Sequence, residues 1–574
     1  MAKKAHEQND VSQYLKRNWA LIALAIIFFI GLQIRTSHLN YPVNGYHNWK
    51  ETHYLTEARN FEQHGFFTHG FFMPYWQMPN YEGNPSGVHG DTFPTISIIG
   101  GITFKLFGEH VWIVRLIGTL FNLGAILYAF LLMRALFKRD DLALLVAALL
   151  TFTSVLVFYS HNVQLINPAL FFMMMSLYHF AVWRQNDRSK HLLLAVGAFS
   201  LGLATQYSFY IFAFPILLAF PYKKLLEVKK RWKILAIAVV ILLFTPLWIM
   251  YSEANGGANT VINNQVQLEP KLLFDTAWQT AIQGYMSENY GVWHGIYVFP
   301  LLFVIGSALF AVKAIMKFDR FEYRLLLGYI IGAPIWIITM AVKMQGHNYH
   351  QYALVPLIMI MSGYLVYTIA STVGTLVAGF LQKNQRAIAR TTVTLALIIL
   401  FVWFTYSINK PSWNAQFDTR FVGLEIAGAY VKAHAAPGDQ SLFPREQSFG
   451  FVWESGIWGT GNYMDQRLDL EKLHVLEDER NLQWIFAYQW GMNLLQNQEA
   501  LPYLREHYSL AQIAFVNAQT PDGQQNVPIY FLFRRGGTFD ENKINEYAAG
   551  KPVKSKTYTY ASRDPIVVNY IDII

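Results

Sequence analysis

Residues His47–Phe61, HNWKETHYLTEARNF, gather two carboxylates, two histidines, a lysine and an arginine within fifteen positions. Side chains of these types move protons and hold anions. The stretch reads as a helix. Glu51 falls in its first turn, where the helix dipole favours an ionised carboxylate, the state a general base needs. His53 and Glu57 stand four apart, close enough on a helix to touch. A plainer reading competes, in which Glu57, Arg59 and Glu62 form a solvated face and the histidines are tolerated at a membrane boundary as Tyr and Trp are. Further on, Asp91 stands three residues before Pro94, which opens an apolar helix too short to span a bilayer. Arg115 lies near one end of the next span, where snorkelling is the ordinary explanation.

The elements around these residues are membrane-like. Of 574 residues, 53% are hydrophobic and only 14% charged, against about 25% charged in soluble chains. The chain has no cysteine, which removes disulfides and thiolate chemistry. Its basic N-terminal lead runs into WALIALAIIFFIGLQI (Trp19–Ile34), with no small-residue cleavage site, so this reads as an uncleaved first span. Apolar stretches near 111–133, 142–159, 164–183, 192–208, 209–222, 234–251, 293–312, 325–342, 352–380 and 391–408 bring the expected count to about eleven.

Lysine and arginine then set the sides. The N-terminal lead and the connections near 134–141, 184–191, 223–233, 313–324 and 381–390 hold 23 of the 45 basic residues, whereas the opposite connections at 160–164, 252–292 and 343–352 hold Lys271 and Lys343 alone. The N-terminus is expected in the cytoplasm and the C-terminus outside. The net charge of +8 is thus a topology signal and not a nucleic-acid footprint. The expected fold class is mainly α, a polytopic transmembrane domain over 1–408 that includes an extracytoplasmic loop 36–110, followed by an extracytoplasmic α/β domain over 409–574. In that tail LQWIFAY, LAQIAFV and PIYFLF alternate as strands do, RFVGLEIAGAYVKAH is helical, and APGDQ supplies turn chemistry. Within 252–292, Phe274, Trp278, Ile282 and Tyr285 recur at the spacing of an interfacial helix.

None of the 37 acids falls inside an expected span. An ion-coupled transporter ordinarily keeps carboxylates there, so the chemistry is expected at the outer boundary.

The motifs FPT…KLFGE…VRL in 93–116, YSHNVQ at 159–164 and HNYHQY…P at 347–356, in this order between spans, resemble the GT-C superfamily of membrane glycosyltransferases, with protein O-mannosyltransferases and the lipid A aminoarabinose transferase as the nearer kin. The likeness covers most of residues 15–410. It implies a hexosyl- or pentosyl-transferase of cell-envelope glycan biosynthesis. Such an enzyme takes a sugar from a polyprenyl-phosphate carrier and passes it, with inversion, to a hydroxyl of a glycan, lipid or protein acceptor at the outer face of the cytoplasmic membrane. The implied partners are donor, acceptor and membrane lipids, and not nucleic acid. Carried over, Glu51 is the base or a metal ligand and Asp91 its acidic partner. The donor phosphate falls to Lys50, Arg59, Arg115, Lys343, His347, Tyr349 and His350. A divalent cation, magnesium or manganese, held by Glu51, Asp91 and His53 is the alternative to cationic side chains. Relatives with the form HxWRQAD…ARNF match His47, Trp49, Lys50 and Ala58–Phe61, but carry Asp where this chain has His53 and Gln where it has Glu51, which leaves both positions open for the base. Rival readings are a transporter or flippase of lipid-linked glycans and an en-bloc ligase. The absent WWD motif speaks against an oligosaccharyltransferase. VWESGIWGTGNYMDQR (Val452–Arg467) reads as a structural loop ahead of an acceptor contact.

Overall fold

The computed structural model describes residues 2–45, 47–67, 92–254, 269–287, 298–346, 348–414, 418–444, 448–461, 470–489, 499–520, 523–560 and 563–574. The chain divides into two compact units. The first comprises Met1–Leu39, Gly90–Thr95 and Arg115–Gln416, the second Asn40–His89, Ile96–Val114 and Phe417–Ile574.

The first unit is a helical bundle. Its helices are α1 (Ala2–Thr36), most of α4 (Val111–Phe137), α5 (Asp140–Phe152), α6 (Ser154–Ser160), α7 (Ile166–Asn186), α8 (Ser189–Thr205), α9 (Ala213–Ala219), α10 (Val228–Leu242), α11 (Phe244–Ala254), α12 (Thr276–Ser287), α13 (Val298–Met316), α14 (Phe321–Gly346), α15 (Val355–Gly379) and α16 (Arg386–Asn414). α2 (Asn48–His64) and nearly all of α3 (Thr95–Phe107) belong to the second unit. Among the described residues eight helices are long and apolar enough to cross a membrane. The pair α5–α6, bent by 59° at its break, makes a ninth. Where they are described, all eleven expected segments are mainly helical. The count falls because 192–208 and 209–222 form the shorter helices Ser189–Thr205 and Tyr207–Ala219. The chain is thus a mainly helical, multi-pass membrane protein with a C-terminal α/β part, as expected. The 252–292 connection yields α12, whose Trp278 is buried and donates from Nε1 to Ala341 O at 2.8 Å.

The second unit is built on a seven-stranded mixed sheet of order β2-β1-β3-β5-β4-β7-β6. The strands are β1 (Gln440–Phe443), β2 (Trp458–Gly461), β3 (Leu482–Tyr488), β4 (Tyr508–Thr520), β5 (Gly523–Arg535), β6 (Lys554–Tyr558) and β7 (Ile566–Asp572). β1 runs parallel to β2 and β3, and the other pairs are antiparallel. The period of two in LQWIFAY does its expected work. Trp484, Phe486 and Tyr488 pack with α17 (Leu424–His434) and α18 (Phe449–Ser455), while Ile485 and Ala487 join the cluster that holds Leu473 and Leu504.

α2 and α3 are part of this unit's packing. Trp49 of α2 sits against the α17–α18 side of the sheet, and Asn44 Nδ2 donates to Glu425 at 2.8 Å. Close approach is arranged by glycine. A Cβ on Gly101 of α3 would meet Phe61 Cβ at 2.7 Å and Ala58 O at 3.0 Å, and one on Gly450 of α18 would meet Val43 O at 2.5 Å. Backbone atoms do not yield as side-chain tips do. Gly450→Ala is therefore expected to lower the unfolding free energy of this unit by about 1–3 kcal/mol, read as a lower melting temperature of the purified protein. An unchanged melting temperature would mean that Val43 and α18 separate freely.

Candidate active site

α2 places its functional groups by burying nearly all of them. Every residue from Glu51 to Phe61 is buried, whereas Glu62 is exposed. Its N-cap, His47, is itself buried and left-handed at φ 57°, a costly conformation for a residue with a side chain. Glu51 is 4% exposed and is the acid of the helix's first turn. Lys50 is half-buried with its amine 4.4 Å from the Trp49 ring centre.

The expected His53–Glu57 contact forms, and it recruits a third residue. His53 Nε2 lies 3.0 Å from Glu57 Oε1, and Ser97 of α3 donates to Glu57 Oε2 at 2.5 Å. Burial, and then the Lys50 charge, hold the His53 pKa well below its ordinary value. The contact is therefore a hydrogen bond from a neutral ring and not an ion pair. The ring donates from Nε2, because a carboxylate only accepts. Glu57 thus fixes the tautomer and orientation of His53.

The sign of the pH effect follows. The unfolded chain takes up a proton near pH 6.5 and the folded chain does not. The His53 contribution is fully present above about pH 6.5 and is lost as pH falls below it, by about 1.4 kcal/mol per unit until the folded group titrates. His53→Gln should flatten that part of the stability–pH curve, measured by thermal unfolding across mildly acidic buffers. A slope that survives the substitution would assign it to another group.

Arg59 is a clasp. Its guanidinium takes both oxygens of Glu109 at 2.6 and 2.7 Å, donates twice to Trp453 O at 3.2 Å, and lies 3.7 Å from the Trp453 ring centre. The face read as solvated at Glu57 and Arg59 is an interior face of the second unit. The Val452–Arg467 stretch is structural at least as far as Trp453, and its residues 462–467 lie outside the described residues.

The first unit has its own polar cluster, at the end that carries the loops after α1, α6 and α14. Arg35, closing α1, is fully buried and has no carboxylate partner among the described residues. It donates from Nε to Asn122 Oδ1 at 3.1 Å and from Nη1 to Gly31 O at 3.2 Å, and its Nη2 is buried with no hydrogen bond to any described residue. Asn122 donates to Tyr352 at 2.6 Å and to Asn167 at 3.2 Å. Tyr352 donates in turn to Asn167 at 2.6 Å, and Asn167 to Tyr159 O at 2.7 Å. Asn162 Oδ1 and Gln164 Nε2 are also buried without hydrogen-bond partners among the described residues. Tyr349 and His350 are buried beside this network, with Tyr349 edge-on to Tyr159. Arg115 is buried rather than snorkelling and donates to Leu39 O at 2.8 Å. Lys343, in the last turn of α14, is half-buried.

The expected site residues therefore fall in two groups. Lys50, Glu51, His53 and Arg59 lie in the second unit, and Arg115, Lys343, Tyr349 and His350 in the first. Asp91 and His347 lie outside the described residues. Among the described residues no three His, Asp or Glu side chains converge as metal ligands would. The described donor set does not make a metal site, so no step below runs through one. Arg35, Asn122, Asn167 and Tyr352 escaped the sequence reading. Their signal was present as polar residues inside apolar stretches, a rare and functionally loaded placement.

Residues 91–250 match the family described as dolichyl-phosphate-mannose-protein mannosyltransferase. No curated protein matches the chain by sequence. Among solved structures, ArnT from Cupriavidus metallidurans in the apo state is 13% identical at a TM-score of 0.55, over 90% of this chain and 98% of that one. The same protein bound to undecaprenyl phosphate gives 13% and 0.53, over 96% and 98%. The oligosaccharyltransferase of Archaeoglobus fulgidus, in complex with zinc and sulfate, gives 12% and 0.51, over 93% and 78%. The fold is that of the GT-C glycosyltransferases, and the resemblance read from the sequence is borne out in it.

Proposed function

We propose that the chain is an inverting glycosyltransferase that moves a sugar from a polyprenyl-phosphate carrier to an acceptor hydroxyl at the outer face of the cytoplasmic membrane. The observation that carries the reading is Arg35, a fully buried cation that has, among the described residues, an N–H without a hydrogen bond and no counter-ion, in a chain with this fold. An uncompensated buried charge is costly, and a bound phosphate would compensate it. The full-length likeness to ArnT, which has been seen with undecaprenyl phosphate, supports a lipid phosphate as that anion.

The acceptor oxygen attacks the anomeric carbon. The bond from that carbon to the phosphate oxygen breaks, and its electron pair leaves with the lipid phosphate. One displacement inverts the configuration. Glu51 receives the acceptor proton. His53, held neutral and oriented by Glu57, is the alternative base, since it occupies the position where relatives with the HxWRQAD form carry Asp. Arg35, through its Asn122–Tyr352–Asn167 network, stabilises charge on the departing phosphate, where preorganised donors count most. Lys343, Tyr349 and His350 remain candidates for the same phosphate. Arg59, spent on Glu109 and Trp453, is reassigned to holding α2 in place. Asp91 keeps its proposed role as the second acid, and His347 its place among the phosphate ligands. The N-terminus is placed in the cytoplasm and the tail outside.

Mass spectrometry of envelope glycans, lipids and proteins, from cells carrying the wild-type gene or Glu51→Gln, tests this. One class of molecule should lose a single sugar residue while a polyprenyl-phosphate sugar accumulates. Unchanged profiles would overturn the proposal.

A further inference from the structure

Two adjoining cavities, of about 460 and 490 Å³, open at the end of the first unit that carries the α4–α5 and α15–α16 connections, and they share Lys138 and Asp140 in their walls. They are remote from the cluster just described. Trp19, in the wall of the first cavity, precedes Arg35 on α1 by sixteen residues, about 24 Å of helix.

Their charges do not cancel. Arg134 pairs with Asp140 at 2.7 Å, and Arg139 takes both oxygens of Asp141 at 2.9 and 3.2 Å. Lys138 has only the neutral Gln185, at 3.3 Å, and Arg390 has no carboxylate partner among the described residues. Two positive charges are left over in a wall that also carries the hydroxyls of Ser371 and Thr391, while the Tyr367 hydroxyl accepts from Arg139. The rest of the wall leads outward onto apolar helix surface. Trp19 is 42% exposed, and α16 beyond Leu395 exposes Ile399, Leu400 and Trp403. A soluble anion has no use for an apolar ramp beside its site, whereas a lipid lays its acyl chains there.

We propose that this cavity seats the headgroup of an anionic phospholipid, with the phosphate against Lys138 and Arg390, the headgroup hydroxyls against Ser371 and Thr391, and the chains along α1 and α16. Basic pockets between transmembrane helices bind such headgroups. With the N-terminus cytoplasmic, the lipid belongs to the inner leaflet, and it takes no part in sugar transfer.

The test is native mass spectrometry of the full chain released from bilayers of equal phosphatidylglycerol and phosphatidylethanolamine. Phosphatidylglycerol should be retained selectively. Lys138→Gln with Arg390→Gln should lower its occupancy by on the order of ten-fold or more, while Arg188→Gln with Lys190→Gln, in the neighbouring basic connection, should leave it unchanged. If the double variant does not purify, Arg390→Gln alone reads the same occupancy, because that side chain is exposed. Equal retention of the two lipids, or equal loss in the 188/190 control, overturns the proposal. So does a thermal stabilisation by glycerol phosphate as large as that by phosphatidylglycerol, since the site would then take a soluble anion.

Discussion

Glu51→Gln is expected to cut the rate of sugar transfer by ~10²–10⁴, the usual cost of losing a general base, with expression and melting temperature near wild type. The substitution keeps size and shape and removes only the proton affinity. The position is well prepared for this chemistry. Glu51 lies in the first turn of α2, and its burial at 4% exposure keeps bulk water from competing for the proton. The rival base is His53. Its ring is neutral in the fold and held through Nε2 by Glu57. Transfer that survives Glu51→Gln but disappears in His53→Ala would put the base two residues on, where relatives carry Asp.

The second large effect is expected at Arg35. Arg35→Met should lower kcat by ~10²–10³, the cost of removing a preorganised donor from developing charge, yet leave the protein as stable as before or more so. The two expectations share one cause. A buried guanidinium without a counter-ion is a burden on the ligand-free fold, and an apolar side chain of similar length relieves it. A purely structural arginine behaves in the opposite way. Arg115→Met is the internal comparison. It removes the donor that holds Leu39 O and should lower the melting temperature. A melting temperature that falls in Arg35→Met as much as in Arg115→Met would make Arg35 a structural residue.

Much of the architecture was legible because local patterns are strong in a chain of this kind. Long apolar runs announce spans, and LQWIFAY and PIYFLF became β3 and part of β5 because strand periodicity needs no partner to be recognised. Two spans were over-read because composition alone does not fix helix length, as 209–222 shows. The site was only half legible. The helix of α2 and its His53–Glu57 contact follow from spacing, but the interior face does not. Glu57 and Arg59 look like surface residues until their partners are known. Those partners are Ser97, Glu109 and Trp453, 40, 50 and 394 residues away. Arg35 was hidden for the same reason, since what makes it unusual is a network with Asn122, Asn167 and Tyr352, none of them near it in sequence. No local pattern reports that a basic residue ending a span lacks a carboxylate.

The central claim is that the sugar leaves its carrier on this protein. Its most direct test uses the purified full-length chain in liposomes loaded with radiolabelled polyprenyl-phosphate sugars extracted from the host membranes, with envelope acceptors added. The account predicts that label passes from carrier to acceptor with one polyprenyl phosphate released per sugar, that the new glycosidic bond has the opposite anomeric configuration by NMR, and that Glu51→Gln abolishes the transfer. Label that crosses the bilayer still attached to its carrier, with no polyprenyl phosphate released, would contradict it and make the protein a flippase.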